Sequence, residues 1–343
     1  MAVCAFVSFR LGTADGVSVV ARNWQRAFEQ LGFEVFTVAG EGPVDRTVPA
    51  LAITATDSPS PTELADALGG ADLVVVENLC TIPLNLEAAR TTATVLRGRP
   101  TIMHHHDPPW QRERFAHITE LPVDDGAWRH VTINQLTRKQ MQARGIEATC
   151  IYNGFSATTG VGDRPGVRRR LGLAADDRVI AHPVRAIPRK NVARAIALCE
   201  ALDGVYWLWG PAEDGYDDEL ERLLAGARCR VVHGTNHEAA VDLYQAADAV
   251  VFPSTWEGFG NPPVEASIHR VPAAVADYPV AAELRALGFE WYPTDDPEPL
   301  RAALRDGDRD RIERNRQVAL RHFSLSVMTS GIAALLDDAG WLP

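Results

Sequence analysis

The feature that most constrains this chain is an alternation, sustained almost throughout, between short unbroken apolar runs and segments with helical apolar spacing. The runs at residues 2–9, 33–39, 72–77, 100–104, 130–133 and 149–152 read as strands. They are continuous rather than every-other-residue apolar, as strands buried on both faces of a parallel sheet between helices must be. Between the first two, residues 16–31 place Val17, Val20, Trp24, Ala27, Phe28 and Leu31 on one face, and Gly32 stops the helix. A second series repeats the scheme with strands at 179–184, 205–209, 230–233, 249–252 and 273–276. Residues 297–336 are helical, with breaks near Asp306–Asp308 and at Phe323-Ser324. The two series meet near residue 155, where Asn153-Gly154 precedes a stretch rich in Ser, Thr, Gly and Asp.

A length of 343 residues also favours two domains over one. The pattern predicts an α/β chain of two Rossmann-like halves. Residues 1–154 form the first, 155–322 the second, and 323–343 a C-terminal helix packing back toward the first. Such halves bind ligands at the carboxyl ends of their strands, which puts an expected site in a cleft between them.

Charge narrows the partners. With 34 Lys+Arg against 45 Asp+Glu the chain is −11 overall. Residues 1–170 carry 17 basic and 18 acidic side chains, and 171–343 carry 17 and 27, so the halves are −1 and −10. Neither offers the basic face that nucleic acid requires. Five dispersed cysteines without a C-x-x-C pair read as reduced thiols. The start of the chain reads as a strand rather than a signal peptide, and no apolar run reaches the ~18–20 residues of a membrane span. These readings point to the cytoplasm; they leave the oligomeric state open.

The most informative segment runs from Phe252 to Ala266, Phe-Pro-Ser-Thr-Trp-Glu-Gly-Phe-Gly-Asn-Pro-Pro-Val-Glu-Ala. A buried strand ends at Phe252, a glycine-containing loop follows, and a helix opens near Pro262, where proline suits the first turn. Loop amides and a helix N-terminus favour an anion. Glu257 on the loop and Glu265 in the first turn can accept hydrogen bonds from paired hydroxyls such as those of a sugar or ribose. Taken alone, the two glutamates are equally a dipole partner and a solvated charge.

In this segment the chain resembles the retaining glycosyltransferases of family 4. Their signature is two glutamates with seven residues between them around Gly-Phe-Gly, the arrangement of Glu257, Gly258, Phe259, Gly260 and Glu265. The run Leu243-Tyr244-Gln245-Ala246-Ala247-Asp248 to Pro253-Ser254 extends the similarity upstream. The resemblance implies a GT-B fold, two Rossmann-like domains whose parallel sheets face each other across a cleft. It implies a donor domain in which Glu257 lies beside the donor sugar, Glu265 binds the ribose, and the amides of residues 258–260 approach sugar and diphosphate. Arg185 to Lys190 resembles the family's Arg-x-x-x-x-Lys element, two fixed cations that stabilise the charge of a departing nucleoside diphosphate without a metal. Lys139 and Lys190 are the only lysines, and Asn191 stands where the family commonly has glycine. Ile151 to Phe155 resembles the family's Ile-Pro-Asn-Gly-Val junction, bringing Asn153 into the donor site. Gly210, His233, Gly234 and Thr235 fall where the family lines its base pocket.

In the first half the family's Gly-Gly pair is replaced by Asp15-Gly16. Gly16 carries over to the donor phosphates, while Asp15 or Ser18 reads as a cap for the helix beginning near Val17. In His104-His105-His106-Asp107, His106 matches the family's strand-terminal histidine beside the donor sugar. Trp110 and Arg112 are expected to shape the acceptor cleft.

The resulting expectation is an enzyme transferring a hexose, with retention, from a UDP- or GDP-sugar to a hydroxyl acceptor, with the donor as co-substrate and no required cofactor. Two rival readings remain: a metal-dependent hydrolase built on His104 and His106, and a noncatalytic sugar-nucleotide binder. The histidine pair lacks further ligands in sequence, so no metal site is expected. A nicotinamide enzyme is excluded, since Gly40-Glu41-Gly42 lacks the third glycine and leads into no helix.

Overall fold

The computed structural model describes residues 2–13, 15–158, 160, 162–234 and 240–343, and the side chain of residue 240 lies outside that description. The chain divides into two compact units, Met1–Phe155 with Leu325–Pro343, and Ser156–Ser324.

In the first unit the elements run β1 (Val3–Arg10), α1 (Gly16–Gln30), β2 (Glu34–Glu41), β3 (Arg46–Thr47), α2 (Pro61–Ala67), β4 (Leu73–Glu77), α3 (Leu86–Leu96), β5 (Thr101–His105), β6 (Trp128–Thr132), α4 (Gln135–Gln142) and β7 (Ala148–Cys150). The described strands form one sheet in the order β3-β2-β1-β4-β5-β6-β7, every pairing parallel. β1 shows why its run is unbroken. Ala5, Val7 and Phe9 belong to one core, while Cys4 and Phe6 belong to the other, on the opposite face. That second core holds Trp24 and Phe28 of α1 together with Ile332 and Leu336, which lie near the C-terminus.

The second unit runs α5 (Arg164–Arg170), β8 (Val179–His182), α6 (Val192–Ala201), β9 (Val205–Leu208), α7 (Asp217–Ala225), β10 (Val231–His233), α8 (Ala240–Ala246), β11 (Ala249–Phe252), α9 (Asn261–Ile268), β12 (Ala273–Val275), α10 (Pro279–Ala286), α11 (Glu298–Asp306) and α12 (Arg309–Phe323). Its parallel sheet has the order β10-β9-β8-β11-β12. After Ser324 the chain returns to the first unit as α13 (Leu325–Ala339).

Two details of the sheets differ from the strand pattern. β8 stops at His182, because Pro183 cannot donate to a ladder, and residues 183–190 become a loop ending in a 3-10 turn at Pro188–Lys190. The short edge strand β3 escapes a reading based on apolar runs, since Arg46 and Thr47 are both exposed.

In the second sheet the chain order reverses between β8 and β11, the neighbours at its centre. The loops that leave their carboxyl ends, 183–191 and 253–260, therefore lie side by side at a topological switch point.

Candidate active site

The loop after β11 meets the turn after β8 through a buried charge cluster. Lys190 Nζ donates to Glu257 Oε1 at 2.6 Å, and Arg189 Nη1 donates to Glu257 Oε2 at 2.6 Å and to the Trp256 carbonyl at 3.0 Å. The Thr255 amide closes the link from the other side, donating to the Arg189 carbonyl at 2.9 Å. The Glu257 side chain is 8% exposed and that of Lys190 12%. Burial works against the carboxylate, yet Lys190 and Arg189 hold its pKa at about 2. Burial pushes the Lys190 ammonium down to about 8 against the pull of Glu257, and Arg189 and Arg185 add to that push. Three cations thus act on one another here, and one buried carboxylate balances two of them, Lys190 and Arg189.

Backbone conformation explains the sequence around this cluster. Asn191 has φ 54°, in the left-handed region, and its side chain caps α6 by accepting from the Arg194 amide at 3.3 Å. Asparagine tolerates that conformation better than most residues, so its replacement of the family's glycine keeps the turn. Gly260 has φ 102°, and a Cβ there would stand 2.4 Å from the Tyr278 hydroxyl. The Phe259 ring stands edge-on to Phe323 at 5.6 Å, and its carbonyl accepts from Tyr278 Oη at 3.4 Å, which together anchor the loop.

Other expected residues are placed differently. Arg185 pairs with Glu213, half-exposed, and reaches Lys190 only through its field. Glu265 is the fifth residue of α9 and lies beyond the first turn where it was expected. It accepts from Tyr244 Oη at 2.9 Å, and burial outweighs that bond and raises its pKa. Gly210 packs against the strap that carries Arg185: a Cβ would lie 2.5 Å from the Val184 carbonyl oxygen and 2.8 Å from Arg185 Cα. His233 Nε2 lies 3.2 Å from the Gly210 carbonyl oxygen. His233 and Gly234, with Trp209, Pro211, Leu220 and Leu224, line an open concavity of about 650 Å³; Thr235 lies outside the described residues.

In the first unit Asp15 is the cap of α1. It accepts from the Val17 and Ser18 amides at 3.0 and 3.2 Å and from Ser18 Oγ at 2.8 Å, and it pairs with Arg10. Those bonds outweigh its burial and lower its pKa. The amides next to Gly16 are therefore already engaged. Asn153 is buried, and Gly154 abuts α13, where a Cβ would lie 2.7 Å from Met328 Cβ. Trp110 donates to Gln140 Oε1 at 2.8 Å, with the Arg144 guanidinium 3.9 Å from its ring centroid, and Arg112 pairs with Asp107.

The three histidines separate into two networks by strand alternation. His104 Nδ1 and His106 Nε2 lie 2.9 and 3.0 Å from the same oxygen, Glu77 Oε2 at the end of β4. His105 turns the other way, its Nδ1 2.7 Å from Thr81 Oγ1 and its Nε2 2.8 Å from His130 Nδ1, while His130 Nε2 reaches Asp124 at 3.0 Å. Asn78 accepts from the amides of His106 and Asp107, both at 3.1 Å, and so pins that loop. The sequence offered no third group for His104 and His106, and the structure sets Glu77 beside them. β4 and β5 are neighbours, and their pairing brings in Glu77 from 27 residues away.

Four site residues were missed by sequence reading: Glu77, Arg189, His182 and Tyr244. Arg189 lies inside the quoted Arg-x-x-x-x-Lys element and Tyr244 inside the quoted run-up, so position alone could have raised both. His182 ends β8, its Nδ1 2.8 Å from Tyr206 Oη. Burial pushes its pKa down to about 3, Lys190 adds to that, and Glu257 opposes it.

Residues 163–319 match the model of the family described as glycosyl transferases group 1. The match takes in just under half of the chain and lies within the second unit. Among similar proteins, the mannosylglucosylglycerate synthase of Thermotoga maritima is 24% identical, with 94% of this chain and 96% of that protein covered. Solved structures with the same GT-B fold include Anabaena HepE in complex with UDP-glucose (TM-score 0.72, 20% identity, 98% and 99% covered). They also include the sucrose-phosphate synthase of Thermosynechococcus elongatus (TM-score 0.76, 15% identity, 98% and 99% covered). Among the described residues no helix is long and apolar enough to cross a membrane.

Proposed function

We propose that this glycosyltransferase moves a hexose from a UDP- or GDP-sugar to a hydroxyl acceptor with retention at the anomeric carbon. The observation that carries the reading is the buried Lys190–Glu257–Arg189 cluster, set between the loops that leave the two central strands of the second unit. The second unit is the donor unit, and the first carries the acceptor.

Arg185 and Lys190 bind the diphosphate. An ammonium has three donors, so Lys190 keeps one on Glu257 and turns the others to phosphate. Arg185 supplies a planar fork once it leaves Glu213. The amides of Gly258, Phe259 and Gly260 approach the sugar and diphosphate, and Glu265 takes the ribose hydroxyls. Glu257, kept ionised by its two cations, accepts from hydroxyls of the donor sugar, and His106 serves the same sugar. The base stacks in the concavity near Gly210 and His233. As the glycosidic carbon–oxygen bond to the diphosphate breaks, the bond to the acceptor oxygen forms on the same face. The acceptor's proton passes to the departing phosphate oxygen. Lys190 is held by Glu257 before the charge appears, so its share of the stabilisation needs little reorganisation.

The test is product formation from a panel of UDP- and GDP-hexoses with hydroxyl acceptors, the anomeric configuration being read by NMR. A retained configuration, with turnover lost in Lys190→Ala and Glu257→Gln, is expected. An inverted product, or either variant at full activity, refutes the assignment.

A further inference from the structure

We propose that Glu77, His104 and His106 form a binding site for a divalent transition metal ion, zinc by the chemistry of its donors. The site lies wholly within the first unit; it shares His106 with the donor reading, and its test reads metal binding rather than turnover.

The geometry is that of converging ligands. His104 Nδ1, His106 Nε2 and a Glu77 oxygen all lie within 4.8 Å of one another. The two nitrogens stand 2.9 and 3.0 Å from Glu77 Oε2. Donors ~2.0–2.2 Å from a tetrahedral zinc ion are separated by about 3.3–3.6 Å, so the trio takes an ion once its donors part by about half an ångström. Two imidazoles and a carboxylate are a donor set suited to zinc and related ions. Glu77 Oε1 is buried without a hydrogen-bond partner among the described residues, which leaves the carboxylate's second oxygen for the metal.

Charge points the same way. The Glu77 side chain is 0% exposed, and among the described residues no arginine or lysine pairs with it. A carboxylate taken that far from water needs a compensating charge close by, and a dication held on the imidazoles provides one.

The surroundings fix the ligands in advance. The indole of Trp24 stacks on the His104 ring at 4.0 Å, and Asn78 holds the His106 amide. Because residues 104 and 106 alternate with 105, both ligands fall on one side while His105 is engaged with Thr81 and His130 on the other. Bound there, the ion ties β4 to β5 and fixes which nitrogen His106 turns outward.

The experiment uses the full chain with any affinity tag removed. The chelated protein is titrated with Co²⁺ and then with Zn²⁺, following visible ligand-field bands and Tm. One equivalent of Co²⁺ is expected to produce the bands and Zn²⁺ to quench them. Zn²⁺ at about a hundredfold over Kd should raise Tm by roughly 5–10 °C. The bands and the shift should vanish in Glu77→Gln and persist in His117→Ala, which alters an exposed histidine outside the trio. Wild-type protein that shows neither bands nor a Tm response overturns the proposal and leaves the trio as a hydrogen-bonded cluster. Undiminished binding in a folded Glu77→Gln does so as well.

Discussion

Glu257→Gln removes the one buried carboxylate that balances Arg189 and Lys190, while keeping the shape of the side chain. Its stability cost can be worked two ways. Lowering a carboxyl from its ordinary 4.5 to about 2 corresponds to about 3 kcal/mol. Breaking a buried ion pair by removing one partner costs about 3–5 kcal/mol. The two agree, and the side chain is only 8% exposed, so solvent screening does little to reduce the figure. For a unit of this size, 3 kcal/mol corresponds to a Tm lower by roughly 6–12 °C. Differential scanning calorimetry at pH 7 reads that shift. The sign of its pH dependence follows from the direction of the pKa. Because folding depresses the carboxyl's pKa, its contribution is complete above about 4.5 and is lost as pH falls toward 2. The gap between wild type and Glu257→Gln should therefore be full at neutral pH and narrow through that acid window. A Tm within 2 °C of wild type at pH 7, or a gap that does not narrow in acid, would refute the claim that the cluster is a buried, charge-balanced unit.

Four further outcomes follow from the same structure. Lys190 carries its charge below about 8 and loses it above, so kcat/KM for the donor should fall about tenfold per pH unit on the alkaline side; Lys190→Arg, if active, should lack that limb in a pH–rate profile. Asn191→Val forces a branched residue to φ 54° and should cost about 1–3 kcal/mol in urea unfolding, whereas Asn191→Gly should cost only a few tenths. Gly210→Ala drives a methyl into the backbone at Val184 and Arg185, so donor KM should rise and stability fall by about 1–3 kcal/mol, read by donor titration and by melting. Asp15→Ala should lower stability by about 0.5–2 kcal/mol and leave donor KM unchanged, as a helix cap would; a large KM effect would place Asp15 at the donor instead.

Some of the site was readable before any fold was known. The seven residues between Glu257 and Glu265 and the solitary placement of Lys190 are local facts, fixed by chain neighbours and by the chemistry a phosphate or a sugar asks for. The cap at Asp15 was equally legible, because an aspartate two and three residues before the amides it accepts needs no tertiary help. Glu77 was not. It reads as the last residue of an apolar strand, and nothing within its own segment marks it as more than an edge charge. Glu265 shows the opposite case, where its position past the first turn and its bond to Tyr244 depend on where α9 begins and on α8 lying against it.

By itself the sequence determined the periodic part of this protein. Unbroken apolar runs separated by amphipathic helices require parallel sheets with both faces covered, and glycine, proline and asparagine mark where each strand hands over to a loop. Those are properties of residues a few positions apart. What only the tertiary structure decided is which charges meet. Lys190 reaches Glu257 across 67 residues because β8 and β11 are sheet neighbours, and Glu77 reaches His104 and His106 across 27 and 29 because β4 and β5 are. Strand order sets those meetings, and it is chosen by the packing of the whole sheet rather than by any segment within it.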